Sequence, residues 1–349
     1  SLLRYDKFDL AIIPTPWGNT PRKLNISDID QKDTEAIALV NKILRAPLAK
    51  QPEVFIQMTI PNEFQAPAKY NIGMTAGIET TIPPGDWIEG LNRMNVNIVT
   101  SNFTKEIFTK ANFVKTYPDN RQEPLVVTKP MEVCFWGADT NIYKKTNEQV
   151  ATVDAALDII PEKFAFLFVG QWTNLNGLYS DRKDIGNLIK TFCNTFKDKK
   201  GERPCLILKT SGVNFSITDR DACLARIQAI KQDVGGDLPN VYLLHGELND
   251  VEMNALFNHP KIGAHISFTH GEGYGHPLLL ASLSGKPILA SNWSGHLDFL
   301  NPKYTQLLEG NIKQVDPSAI NQWIIKESSW FTVGYGLAED KIKSVYYNN

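Results

Sequence analysis

The residues best able to do chemistry are concentrated in one stretch, Ser267-Phe268-Thr269-His270-Gly271-Glu272-Gly273-Tyr274-Gly275-His276-Pro277-Leu278-Leu279-Leu280. Three glycines alternate with polar or aromatic side chains. Pro277 suits the first turn of a helix, where its missing N–H would be unpaired anyway. A strand ending near Phe268 and a helix beginning near Pro277 leave a turn whose backbone can approach a ligand closely. The N–H groups of a helix start carry partial positive charge, so such a turn can receive a phosphate or diphosphate. The same spacing also serves a structural strand-to-helix turn, and the turn by itself does not separate the two readings.

All six histidines, His245, His259, His265, His270, His276 and His296, fall in this part of the chain. The spacings of His265, His270 and His276 match no helix-borne zinc pair such as H-E-x-x-H, and no cysteine is nearby, so no metal site is expected. Trp17, Trp87, Trp172 and Trp293 flank predicted loops, but aromatic residues at strand ends more often fill cores or domain contacts, so they are left outside the site.

The elements that must carry these residues alternate strand and helix. In the first half, apolar runs predict strands at 9–13, 53–60, 70–75, 96–100 and 131–136, with helical patterns at 33–44, 86–94 and 105–111. In the second half, strands are predicted at 164–169, 205–209, 241–244, 264–268 and 287–290. Helices are predicted there at 185–197, 219–234, 250–257, 277–283 and 318–327. Such alternation gives parallel sheets covered on both faces, and the unbroken apolar runs of the second half are those of strands buried on both sides. Gly137-Ala138-Asp139-Thr140 and the polar residues 144–149 interrupt the pattern midway, which divides the chain into 1–140 and 141–349. Ligands of such folds bind beyond the carboxyl ends of the strands.

The chain of 349 residues is long enough for two domains. With 36 Lys+Arg against 38 Asp+Glu, the formal net charge is -2. That balance excludes the basic excess of a constitutive nucleic-acid or anionic-membrane binder. No apolar run approaches the roughly 18 residues of a membrane span. Four scattered cysteines without C-x-x-C spacing, and no basic-then-apolar leader, point to reduced thiols and a cytoplasmic protein.

The stretch from His270 to Pro277, continued by Leu278-Leu279-Leu280-Ala281-Ser282-Leu283-Ser284-Gly285-Lys286-Pro287-Ile288-Leu289-Ala290-Ser291, resembles the donor-site signature of retaining GT-B glycosyltransferases. That large family, which includes glycogen synthase, sucrose synthase and bacterial mannosyltransferases, carries approximately E-G-F-G-x-P-x-x-E-A, then small residues, G-x-P-V and a polar turn. Three further matches lie in order. Residues 166–172 followed by Asp181-Arg182-Lys183 resemble its V-G-x-x and R-K, residues 241–246 and 250–256 resemble its nucleotide-side strand and helix, and residues 137–140 resemble its interdomain G-V-D-T. In the first half, Trp17-Gly18-Asn19-Thr20 is similar to a glycine loop facing the donor phosphates. Residues 77–81 before 87–92 are similar to the family's E-T ahead of a helix, and residues 101–105 to its S-x-x-T-K. Two residues depart from the pattern: Leu280 stands where the family has a ribose-binding glutamate, and Gln171 where it has an arginine. The first half also lacks the histidine that many relatives place beside the sugar.

The resemblance implies an α/β GT-B fold of two Rossmann-like doubly wound domains facing across a cleft, the first for the acceptor and the second for the donor, with the C-terminal segment crossing back. It implies transfer of a hexose from a nucleotide-diphosphate sugar with retention, and no metal or other cofactor. Glu272 would hold the transferred sugar and Glu79 the acceptor. Gly18, Arg182, Lys183, Lys209, Gly246, His270, Gly271, Gly273, Tyr274, Gly275, His276 and Pro277 would bind the donor. Asp28-Ile29-Asp30 and Asp219-Arg220-Asp221 match the D-x-D of metal-dependent transferases, but they fall in a polar loop and a helix start, where aspartate caps are common. The acceptor class stays open among saccharide, lipid, protein and modified nucleobase. A non-catalytic nucleotide-sugar-binding protein and an epimerase of the same fold are the alternatives, although no pair of acid and base carboxylates marks an epimerase.

Overall fold

Hydrophobic patterning accounts for most of the elements that form, and the side chains of Asp33, Ser101, Ser216 and Asn249 cap the starts of helices. The computed structural model describes residues 2, 7–14, 27, 29, 33–48, 50–175 and 177–348. The chain forms two units, Ser1–Phe55 with Pro67–Tyr70, and Ile56–Ala66 with Asn71–Asn349. In the first unit, α1 (Thr34–Val40) starts at Asp33, whose side chain accepts the Ala36 N–H. The helix expected to reach residue 44 ends early because the backbone of Lys42 and Leu44 turns to bond Ile12. The expected strand at 9–13 is reduced, among the described residues, to a single parallel bridge between Ile12 and Ile43.

From residue 54 the order is β1 (Val54–Met58), β2 (Tyr70–Thr75), α2 (Gly85–Arg93), β3 (Val96–Val99), α3 (Asn102–Lys110), β4 (Phe113–Thr116), β5 (Gln122–Leu125) and β6 (Met131–Val133). One sheet has the order β1-β2-β3-β6, in which β3 runs parallel to both β2 and β6. Its core gathers Phe64, Trp87, Ile88, Leu91, Val99 and Phe108. Ser101 caps α3 by accepting the Thr104 N–H. The antiparallel β4–β5 hairpin has no counterpart among the expected strands. Pro124 lies within β5 and masks the strand pattern.

The remainder runs α4 (Ala151–Asp158), β7 (Ala165–Val169), α5 (Ile185–Phe196), β8 (Cys205–Lys209), α6 (Ile217–Val234), β9 (Val241–Leu244), α7 (Asp250–Asn258), β10 (Ile262–Ser267), α8 (His276–Ser282) and β11 (Ile288–Ser291). It closes with β12 (Thr305–Leu308), β13 (Gly310–Gln314), β14 (Ser329–Val333) and α9 (Tyr335–Tyr347). Six strands in the order β12-β11-β10-β7-β8-β9 form a wholly parallel sheet. Alternate residues of each strand feed two cores. Phe166, Phe168, Leu206 and Leu208 meet α5, α6 and α9, whereas Ala165, Leu167, Cys205 and Ile207 meet α4, α7 and α8. This double burial is why these strands are unbroken apolar runs in the sequence. Leu280 belongs to the second core, so an apolar neighbourhood surrounds the position where the family pattern has a carboxylate.

The helix expected at 318–327 does not form. Asp316 caps a short turn at Pro317–Ala319, and the Asn321 side chain accepts the Trp323 and Ile324 N–H groups, which competes with helical pairing. This segment instead brings Trp323 to 6.2 Å from Trp87 and pairs Ser329 with Thr81, while α9 lies against α5. Among the described residues no helix is long and apolar enough to cross a membrane.

Candidate functional site

Two loops at the carboxyl ends of neighbouring strands build the site, one following β7 and the other following β10. After β7 the chain makes a turn in which Asp184 N–H donates to the Asp181 carbonyl at 2.9 Å. The buried Asp181 carboxylate accepts from Thr173 Oγ1 at 3.0 Å and from the Ile185 N–H at 3.1 Å, which ties this turn to the start of α5. Arg182 and Lys183 project from it. After β10, the His270 N–H donates to the Arg182 carbonyl, and Arg182 Nη1 donates to the Gly271 carbonyl at 2.7 Å. Ser294 Oγ accepts the Glu272 N–H at 2.9 Å, and the Glu272 carbonyl accepts the Gly295 N–H.

These bonds place the Glu272 carboxylate against Lys183 Nζ at 2.5 Å and Arg182 Nη1 at 3.5 Å. Arg182 Nη2 lies 3.5 Å from Glu79, the residue supplied by the loop after β2. Two cations and two carboxylates therefore form a charge-balanced cluster in which the Glu272 side chain is 8% exposed and the Lys183 side chain 10%. Burial pushes the Glu272 carboxyl up, but Lys183, Arg182 and His296 outweigh it and hold it down to about 2. Burial pulls the Lys183 ammonium down, and Glu272 opposes that pull. The carboxylate is thus the charged partner that makes a buried lysine tolerable.

The glycines of this loop meet protein. A Cβ on Gly271 would come 2.2 Å from the Glu79 carbonyl oxygen and one on Gly273 would come 2.1 Å from that of Ala76, so residues 76–79 lie directly on the bare backbone. The Gly273 carbonyl accepts from Ser101 Oγ at 2.5 Å, and Thr100 and Thr104 add longer bonds. Gly275 precedes α8 in the left-handed region, which favours glycine, and Pro277 lies in the first turn.

The side chains of the other expected site residues make their contacts outside the charged cluster. Lys209 Nζ donates to the Gly246 carbonyl and sits over the Phe215 ring. Tyr274 stacks on Phe135, and His276 Nε2 donates to the Gly137 carbonyl at 3.3 Å. His270 is buried, stacks on Trp330 with ring centroids 4.3 Å apart, and donates from Nδ1 to the Phe331 carbonyl. Gly18, like Trp17, lies outside the described residues. Of the aromatic residues set aside, Trp172 and Trp87 are core, while the Trp293 ring borders Gly271. Asp219 binds the Gly212 and Val213 N–H groups and His245, so it closes its own loop. Among the described residues no group of three or more His, Cys, Asp or Glu could hold a metal ion. Ser101, Trp330, Tyr335 and Asp184 belong to this region as well. Only the S-x-x-T pattern at Ser101 signals its place in advance, because the others arrive through long-range packing.

No known family's sequence profile matches the chain, and no curated protein matches it by sequence. Solved structures do. Sucrose-phosphate synthase from Thermosynechococcus elongatus superposes with a TM-score of 0.53 at 11% identity, over 84% of this chain and 64% of that one. α,α-Trehalose 6-phosphate synthase from Burkholderia multivorans gives 0.49 at 11% identity, over 79% and 58%. The chain thus spans less than two thirds of the length of either. The first likeness shows the fold, which is the α/β GT-B fold that the sequence leads one to expect.

Proposed function

We propose that this GT-B chain transfers a hexose from a nucleotide-diphosphate sugar to an acceptor, with retention at the anomeric carbon and without a metal ion. Residues 1–140 would serve the acceptor and 141–349 the donor. The observation that carries this reading is the buried Arg182–Lys183–Glu272 cluster, placed where parallel strands end. The cations and the carboxylate satisfy one another. A sugar nucleotide brings substitutes for both partners at once, because its diphosphate accepts from Arg182 and Lys183 and its hydroxyls donate to Glu272. When the bond from the anomeric carbon to the phosphate oxygen breaks, charge grows on the diphosphate beside two prepositioned cations, which favours departure. Glu79 lies 3.5 Å from Arg182 and in this reading would receive an acceptor hydroxyl.

The test is a panel of UDP-glucose, ADP-glucose and GDP-mannose, followed by thermal unfolding and by release of nucleoside diphosphate. A donor at a hundred times its dissociation constant should stabilise the protein by about 2.7 kcal/mol, and slow hydrolysis should accompany binding. Binding without release or transfer would favour a non-catalytic sugar-nucleotide-binding protein, a reading to which the apolar setting of Leu280 lends weight. No stabilisation and no release with any donor overturns both.

A further inference from the structure

We infer that Asp184, held by Tyr335 of the C-terminal helix, is the positioning residue that aims Arg182 and Lys183 at Glu272. It follows the two cations directly and adopts φ 53°, in the left-handed region that side chains other than glycine rarely occupy. Its side chain is fully buried. Glycine would reach the same backbone conformation without strain and would leave no carboxyl to bury, so the aspartate is explained by what its carboxyl holds.

Helix capping does not explain it either. Asp184 occupies the N-cap position of α5 but makes no side-chain cap bond, and Asp181 is the residue that accepts the Ile185 N–H. The Asp184 oxygens are directed elsewhere. Oδ2 accepts the Tyr335 hydroxyl at 2.8 Å and Oδ1 accepts Asn187 Nδ2 at 2.8 Å. His270 Nε2 lies 3.7 Å from Oδ1 and has no hydrogen-bond partner among the described residues. One side chain thus touches α9, α5 and the loop that carries Glu272, while its backbone fixes the direction in which the preceding cations leave the turn. Burial raises its carboxyl well above the usual carboxylate range, which makes asparagine a close replacement.

Lys183 modification by an amine-reactive reagent, mapped by peptide mass spectrometry against the exposed Lys163, tests this without any ligand. Asp184→Gly relieves the strained φ but deprives the buried Tyr335 hydroxyl and Asn187 amide of their acceptor, so the unfolding midpoint should fall while the protein stays folded at room temperature. Lys183, no longer held, should react roughly tenfold faster as its turn opens locally. Asp184→Asn should react as the wild type does, and Tyr335→Phe, which keeps the ring but loses the hydroxyl, should fall between. A wild-type modification rate in folded Asp184→Gly overturns the inference. If that variant fails to fold, a wild-type rate in Tyr335→Phe does so. The kinetic consequence rests on the proposed transferase reading: KM for UDP-glucose should rise more than kcat falls in Asp184→Gly, with both restored in Asp184→Asn. Absence of any wild-type activity refutes that reading, whereas the labelling result still decides the role of Asp184.

Discussion

Lys183 and Glu272 depend on each other more than either contributes alone. Removing one partner of a buried pair leaves the other charged and desolvated, at a cost of about 3–5 kcal/mol, whereas replacing both with apolar side chains of similar volume is often neutral. Lys183→Met and Glu272→Leu should therefore each lower stability in denaturant titrations, and the double variant should recover most of the loss. Equal additivity would mean that the pair is not coupled. If Lys183 meets the diphosphate, Lys183→Ala should also weaken UDP binding by about 1.5–3 kcal/mol in calorimetry. Glu272→Gln should keep UDP binding while transfer falls by roughly a hundredfold, since a misoriented anomeric carbon forfeits much of the positioning advantage. The pair also sets an acid response. The Glu272 carboxyl is held to about 2 in the folded chain, below the ordinary 4.5. The stability it contributes is present above about pH 4.5 and is lost as pH falls toward 2. Acid titration of unfolding should be flatter over that window in Glu272→Gln, and an unchanged slope would contradict the assignment.

At the scale of elements, the loop after β10 is shaped by close approach as much as by helix chemistry. Gly273 lets the Ala76 carbonyl pass where a Cβ would sit at 2.1 Å, and the neighbouring atoms are backbone that cannot swing away. Gly273→Ala should cost about 1–3 kcal/mol through overpacking. Gly336, inside α9, is the opposite case, with nothing within 4 Å of its missing Cβ. There alanine should stabilise by about 0.4–1 kcal/mol by restricting the unfolded chain. Thermal melts of the two variants should move in opposite directions. A harmless Gly273→Ala would show that the loops after β2 and β10 separate easily.

For the whole molecule, the proposed mechanism relies on the chain's own cations. Activity with the donor identified by the panel should persist in excess EDTA. Complete loss, restored by manganese or magnesium, would overturn the metal-independent mechanism. The C-terminal segment supplies a second test, since Trp323, between β13 and β14, packs on Trp87 and Trp330, in β14, packs on His270. Trp330→Ala should cost about 3–5 kcal/mol, the range for a buried aromatic. If the His270 loop is positioned by that ring, donor binding should weaken in parallel.

The sequence by itself determined the parallel α/β architecture, because strands buried on both faces must be apolar runs and helical patterns separate them. The start of α6 at Ser216, ahead of the expected 219, came from the structure. Through its resemblance to the GT-B donor signature the sequence also singled out Glu272, Arg182 and Lys183, whose motifs are local in sequence. Tertiary structure alone decided what those residues touch. The Glu272–Lys183 contact joins positions 89 apart in sequence, and Asp184 meets Tyr335 across 151. It also decided that Gly271 and Gly273 accommodate the backbone of residues 76–79, and that residues 318–327 form turns closed by side chains instead of a helix. Local patterning specifies which elements form and which face they bury. Partner choice depends on how strand ends converge, and no periodicity along the chain encodes that.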